Sequence, residues 1–224
     1  MQKIIVAIDG FASTGKSSLA KRLAETLNYT YIDSGSMYRA VTYFALQEGH
    51  QGHIDKEKLL AKLDQIEIYF KYSKSGYQTF LNGLNISKEI RLSEVTEKVS
   101  KVSKIIEVRE LLVTQQQKLG AKKGIIMDGR DIGTVVFPKA ECKFFLKASP
   151  EIRAKRRQLE QIKAGNNESF ASVLSNLKER DLMDSTRKFS PLTKADDAIE
   201  IDVSEMSLEE VYHQLLEHIS KKII

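Results

Sequence analysis

A chain of 224 residues, 42% of them apolar, is long enough to bury one sizeable α/β core with a small insertion, and its composition is that of an ordinary globular protein. The formal net charge of +5 favours an anionic partner, and clustered arginines serve nucleotides as well as they serve nucleic acid. One cysteine, Cys142, excludes an internal disulfide and fits a reducing cytosol, while no apolar run approaches membrane-spanning length.

In chain order, the apolar run Lys3 to Asp9 predicts a strand that Met1 enters directly, without a leader segment. Leu19, Leu23 and Leu27 then recur four apart, as in a helix over Lys16 to Thr26. Tyr29 to Asp33 is a short strand, Met37 to Leu46 a helix ending near Gly49, and Lys56 to Leu63 a short helix. The texture then changes. Ile66 to Tyr72, "YQTFLNG" and "LNIS" predict short antiparallel strands joined by turns at Ser75-Gly76 and Asn82-Gly83, an inserted lobe over about 64–93. A long helical region, Glu94 to Ala121, follows it. "GIIMDG" and "CKFFLKA" are two buried strands. Ser149-Pro150-Glu151 carries the cap, N-terminal proline and early acid of a helix start. Phe170 to Ser185 is helical, "AIEID" the last strand, and Leu208 to Lys221 the last helix. The alternation predicts a doubly wound parallel sheet with insertions, whose ligands sit at the carboxyl ends of the strands.

Gly10-Phe11-Ala12-Ser13-Thr14-Gly15-Lys16-Ser17 matches G-x-x-x-x-G-K-[ST] between a predicted strand and a predicted helix. Glycines there let backbone amides curl round phosphate, and the helix N-terminus faces the anion. Lys16 is placed to reach the β and γ phosphates, and Ser17 to coordinate Mg²⁺. A GTPase switch does not fit. Thr193-Lys194-Ala195-Asp196 has the guanine-motif pattern but precedes a strand instead of following one, and no aspartate is followed three positions later by glycine.

Three further clusters read as an acceptor side and a lid. Ser34, Tyr38 and Arg39 lie where a strand ends and a helix begins, a second anion site. Asp128, at the end of an apolar strand, can hold a metal's water shell, and Arg130 and Asp131 are expected to protrude from the turn that follows. Arg153, Arg156 and Arg157 lie at i, i+3 and i+4, and Arg180, Asp184 and Arg187 at i, i+4 and i+7, each set on one helical face. Beside a phosphate loop they suggest a lid that closes positive charge over a transferring phosphoryl group. His50, His53, His213 and His218 fall outside every cluster, and no group stands out as a general base. A phosphate monoester is already anionic and needs none; its phosphorylation runs on positioning and charge stabilisation. A nucleoside monophosphate is therefore the favoured acceptor.

Taken together and in this order, Gly10 to Ser18, "DSGSMYR", "IRLSEVTEKVSKVS", "VRE", "DGRDIGTVVFP", "RAKRR" and "KERDLMDSTR" resemble the bacterial cytidylate kinase family across nearly the whole chain. "DGRDIGTVVFP" and "DSGSMYR" are the most specific. The resemblance implies a nucleoside monophosphate kinase core whose characteristic insertion corresponds to the lobe at about 64–93, with an Arg-rich lid at about 150–167. It implies phosphoryl transfer from ATP to CMP or dCMP, with Mg²⁺. By motif match, Gly10 to Ser18 bind the triphosphate, and Ser34, Tyr38, Arg39 and Arg130 hold the acceptor phosphate. Ser100, Arg109 and Asp131 read the cytosine, Arg180, Asp184 and Arg187 the sugar and its surroundings, and Arg153, Arg156 and Arg157 form the lid. Catalytic charge would come from Lys16, Arg130, Arg153, Arg157 and Arg187, and the metal from Ser17 and, through water, Asp128. Two positions depart from the family: Phe11 stands for its usual proline and Ser13 for a usual glycine, so the loop's backbone freedom is expected to differ.

The expectation is thus a cytoplasmic, monomeric kinase with small-molecule substrates, bound neither to nucleic acid nor to membrane. A UMP/CMP enzyme is the nearest rival, and would lack the long inserted lobe. A nucleic-acid-binding P-loop protein would interleave aromatics with a basic stripe, whereas these basic residues concentrate in the acceptor and lid clusters.

Overall fold

The computed structural model describes residues 2–50, 52–73, 76–163 and 165–223. The chain forms two compact units, one of Met1–Tyr31 with Lys122–Ile224 and one of Ile32–Ala121.

The first unit is built on apolar runs that are buried on both faces, as strands of a parallel sheet are. Val6, Ala7 and Ile8 of β1 (Ile5–Gly10), Ile126 and Met127 of β6 (Ile125–Gly129) and Phe144 and Leu146 of β7 (Cys142–Lys147) are almost wholly removed from water. The five-stranded sheet has the order β2-β6-β1-β7-β8, where β2 is Thr30–Asp33 and β8 is Ile199–Asp202. β1 lies between β6 and β7, parallel to both, and β8 runs parallel to β7. The register sets Ile8 beside Asp128 and Asp9 beside Gly129, so the carboxyl ends of β1 and β6 finish side by side.

Helix α1 (Lys16–Leu27) follows the glycine loop and buries Leu19, Ala20, Leu23 and Ala24. Helix α6 (Pro150–Lys163) starts where Ser149 Oγ accepts the amide of Ile152 at 3.3 Å, and packs on α7 (Phe170–Thr186) through Ala154, Val173 and Leu177. Helix α8 (Leu208–Ser220) begins with a capping box between Ser207 and Glu210 and buries Val211, Leu215 and Ile219, one stripe at helical spacing. Thr193 to Asp196 precede β8.

The second unit holds α2 (Ser34–Glu48), α3 (Lys56–Ala61), a small sheet, α4 (Ser93–Val102) and α5 (Ile106–Gly120). The sheet has the order β3-β4-β5, antiparallel, with β3 at Ile68–Ser73, β4 at Gly76–Leu81 and β5 at Leu84–Asn85. Asn82 and Gly83, both at positive φ (48° and 86°), make the two-residue turn between β4 and β5. In the other predicted turn, Ser75 lies outside the described residues.

Three expectations change in detail. Helix α2 begins at Ser34, three residues before the predicted start, because Asp33 caps it by accepting the amide of Ser36 at 2.9 Å. The single helical region Glu94 to Ala121 is two helices. They break at Ser103 to Ile105, where Ile105 is extended and the Ser103 carbonyl accepts from Arg109 at 3.1 Å. Arg130 and Asp131 do not protrude: Asp131 is 4% exposed and opens a buried π-helical turn, Ile132–Val136. No helix among the described residues is long and apolar enough to cross a membrane.

Candidate active site

The phosphate loop sits at the end of β1, where its backbone takes the conformations that curl amides inward. Gly10, Ser13 and Gly15 all have positive φ, at 141°, 59° and 88°. A Cβ on Gly10 would stand 2.0 Å from the Leu146 carbonyl oxygen, so only glycine fits there. Ser13 occupies the left-handed region that glycine reaches without strain, so it is a strained position in the fold. Phe11 is not idle either. Its ring meets Phe145 edge-on at 6.0 Å, and the Arg153 guanidinium lies 5.0 Å from its centre. Ala12 packs against the Ala154, Val173 and Leu177 cluster of α6 and α7. The loop is therefore braced on the helix pair behind it.

Lys16, 5% exposed, donates to the Phe11 carbonyl and to Thr14 Oγ1 at 3.3 Å. Burial, with the Arg130 guanidinium next in weight, pulls its ammonium well below the ordinary lysine range. Ser17 Oγ donates to Asp128 Oδ2 at 2.8 Å, and Tyr31 Oη donates to Asp128 Oδ1 at 2.7 Å. The register of β1 and β6 brings Asp128 beside the end of β1, where Ser17 on the first turn of α1 meets it, and two hard oxygens so placed suit Mg²⁺.

Beside them lies a carboxylate that the sequence reading passed over. Asp9, 4% exposed, accepts the amides of Ile132 at 2.9 Å and Gly133 at 2.7 Å. Burial pushes its carboxyl up to about 7, against the pull of those two donors. An acid inside an otherwise apolar strand was the available signal.

The arginines of this unit divide by partner. Arg130 Nε donates to Asp184 Oδ2 at 2.9 Å, while Arg187 lies 3.6 Å from Asp131 and 3.9 Å from Asp184. Burial alone would raise Asp184, but Arg130, Arg180 and Arg187 together hold it below the ordinary carboxylate range. The expected Arg180, Asp184 and Arg187 face is thus one charge cluster, and Arg130 and Asp131 join it. The lid set is not one open face. Arg153 is 2% exposed, pairs with Asp181 at 2.7 Å and donates to the Ala148 carbonyl at 2.9 Å. Arg156 donates to the Val203 carbonyl at 2.8 Å, and Arg157 reaches Glu160 at 3.5 Å with its side chain 43% exposed.

In the second unit the charged residues are neighbours along one helix. Arg39 Nη2 donates to Asp33 Oδ2 at 2.9 Å and to Ser36 Oγ at 2.7 Å, and Ser36 Oγ donates to Asp33 Oδ2 at 2.5 Å. Burial raises Asp33, but the Arg39 guanidinium and Ser36 hold it below the ordinary range. Ser34 and Tyr38 are buried on the same first turns. Arg109, 3% exposed, lies 5.3 Å from the centre of the Tyr38 ring. Ser103 links Arg109 to Ser100, since its hydroxyl donates to the Ser100 carbonyl at 3.1 Å and its own carbonyl accepts from Arg109. Asp33, Ser36 and Ser103 were missed in the sequence; the spacing 33, 36, 39 on one helix start could have found the first two.

Residues 6–221 match the family model described as cytidylate kinase. The cytidylate kinase of Flavobacterium psychrophilum is 52% identical over 221 residues, covering 97% of this chain and 98% of its own. That of Bacillus subtilis is 46% identical over 221 residues, covering 99% and 98%. Among solved structures, an uncharacterized protein from Eubacterium ventriosum superposes with a TM-score of 0.53 at 14% identity, over 98% of this chain and 99% of its own, a likeness of fold alone. A P-loop braced on its helix pair, a charged cluster at the start of α2 and a family match over residues 6–221 lead to one conclusion: the chain belongs to the cytidylate kinase family.

Proposed function

We infer that this chain transfers the terminal phosphoryl group of ATP to CMP, giving ADP and CDP, and we propose that dCMP is a second acceptor. The observation that carries the reading is the presence in one family-matched chain of a phosphate loop with buried Lys16 and of the Asp33–Ser36–Arg39 cluster.

Each group has a physical task. Contact with ATP favours the charged form of Lys16, which then stabilises the β and γ phosphates. Ser17 and Asp128 are the residues that would hold Mg²⁺, Asp128 through water; when bound, the ion neutralises charge between those phosphates. Ser34, Tyr38, Arg39 and Arg130 are assigned the acceptor phosphate, which is already ionised and needs no base. Ser100, Arg109 and Asp131 are assigned the cytosine, and Arg180, Asp184 and Arg187 the sugar. Of the lid arginines, Arg157 has the side chain left in water and is assigned the transferring phosphoryl group with Arg187. Arg153 and Arg156, bound to Asp181 and to the Val203 carbonyl, hold α6 in place. We place the enzyme in the cytoplasm as a monomer.

A coupled assay with ATP and Mg²⁺ across CMP, dCMP, UMP, AMP and GMP tests the reading. CMP is expected to exceed UMP in kcat/KM by at least about tenfold, the value of one base-edge contact left unpaired. Equal turnover of UMP or AMP would move the enzyme to another acceptor class, and inactivity with dCMP would remove only the second acceptor.

A further inference from the structure

The π-helical turn after β6 divides its work in an unexpected way. Asp131 stands at its N-cap, where an aspartate ordinarily accepts the first amides of its own turn, yet its side chain makes no capping bond. The amides of Ile132 and Gly133 donate instead to the two oxygens of Asp9, on β1, 123 and 124 residues earlier in the chain. The backbone carbonyl of Asp131 meanwhile accepts the amides of Val135 at 2.9 Å and Val136 at 3.2 Å. The turn is therefore closed without using the Asp131 carboxylate, which lies 3.6 Å from Arg187. Asp9 also lies within ordinary contact distance of the turn's glycine. A Cβ on Gly133 would meet Lys143 Cδ at 3.2 Å and Asp9 Oδ2 at 3.4 Å. Asp9 and Asp131 are each 4% exposed and repel one another. A second buried acid beside Asp131 costs stability unless its bonds give something back.

We propose that Asp9 is a positioning residue for acceptor-base selection: by capping Ile132 and Gly133 from the phosphate-loop strand, it keeps the Asp131 carboxylate off its own turn and turned to the acceptor's base. The proposal rests on the assignment of Asp131 to cytosine made above. It ties the strand that delivers ATP's loop to the group that selects cytosine's amino edge, in one pair of hydrogen bonds. Asp9 touches no substrate in this account and acts through Asp131.

The test is a double-mutant cycle in the full-length enzyme, with kcat and KM for CMP and UMP measured in the parent, Asp9→Asn, Asp131→Asn and the double variant. An asparagine at 9 accepts one amide and turns its own NH₂ toward the other, which leaves an amide to recruit Asp131. Asp9→Asn is expected to lower the CMP-to-UMP ratio of kcat/KM about fivefold or more, mainly through KM for CMP, and to change it no further when Asp131 is already asparagine. Loss of folded protein cannot move a ratio measured on one sample. Equal losses for CMP and UMP, or the same change of ratio in both backgrounds, would overturn the proposal and assign Asp9 to Lys16 or to the fold alone. An Asp131→Asn enzyme that discriminates as well as the parent would instead sink the base assignment itself. Should Asp9→Asn fail to fold, Asp9→Ser removes one of the two acceptor oxygens at the same place; a lowered ratio supports the proposal and an unchanged one overturns it.

Discussion

The two units hold their charges in opposite ways. In the P-loop unit, Lys16, Asp9, Asp128, Asp131 and Asp184 are nearly sealed from water and meet through contacts far apart in sequence, such as Arg130 with Asp184 and Asp9 with Gly133. In the second unit, Asp33, Ser36 and Arg39 fall within two turns of one helix start, and the Arg39 and Asp33 side chains each keep 20% of their surface in water. The difference teaches how each site is made rigid. Tertiary burial and distant partners fix the P-loop unit's charged groups and shift the pKa values of Lys16, Asp9 and Asp184, whereas local helix geometry fixes the Asp33, Ser36 and Arg39 cluster.

The largest effect should come from breaking the buried side. Lys16→Ala removes charge from the transferring phosphates, so kcat should fall by at least about 10²–10³ with the overall fold retained by circular dichroism. Near-parental turnover would undo the P-loop assignment. Breaking the local side should cost less, because part of that surface is already solvated. Arg39→Ala should lower kcat/KM for CMP by about 10- to 100-fold, one or two charge-assisted hydrogen bonds, mostly through KM. A purely kcat effect would place Arg39 on the transferring group instead.

The contrast in burial also predicts a contrast in protons. With its ammonium pulled down to about 7, Lys16 is largely neutral in the free enzyme at higher pH and must charge when ATP arrives. ATP binding at about pH 8 should then take up roughly one proton, read by calorimetry in buffers of different ionisation enthalpy, and Lys16→Ala should abolish the uptake. CMP binding at the same pH should take up none, since Asp33 is held in its charged form far below that pH. Uptake with CMP and not with ATP would reverse the comparison. The smallest effect belongs to Ser13, at φ 59°. Ser13→Gly relieves a left-handed residue but frees the unfolded chain, so stability should change by less than about 1 kcal/mol by thermal melting. A loss well beyond that would mean the serine side chain is itself part of the loop.

The same contrast explains what could be read from the sequence. Strands whose neighbours on both sides are apolar, the phosphate loop and the Ser34, Tyr38 and Arg39 cluster are short-range patterns, and each is where its spacing puts it. The split at Ser103 to Ile105 was hidden because nothing in that stretch breaks a helix. The break goes with Arg109 reaching back six residues to the Ser103 carbonyl, a contact that no helical spacing gives. Arg153, Arg156 and Arg157 do share spacing, but spacing does not say which guanidinium finds a buried acid; Asp181, on α7, decides it for Arg153. Asp9 was overlooked for the same reason: its partners are on the far side of the chain, and only the fold brings them to it.

The central claim, that Lys16 holds ATP while Arg39 holds the phosphate of the acceptor, is tested most directly by crossed binding. Calorimetric titration of ATP and of CMP, separately, into Lys16→Ala and Arg39→Ala should show each variant losing about tenfold or more in affinity for its own nucleotide while keeping the other within about twofold. If Lys16→Ala loses CMP as much as ATP, or Arg39→Ala loses ATP as much as CMP, the division of labour is contradicted.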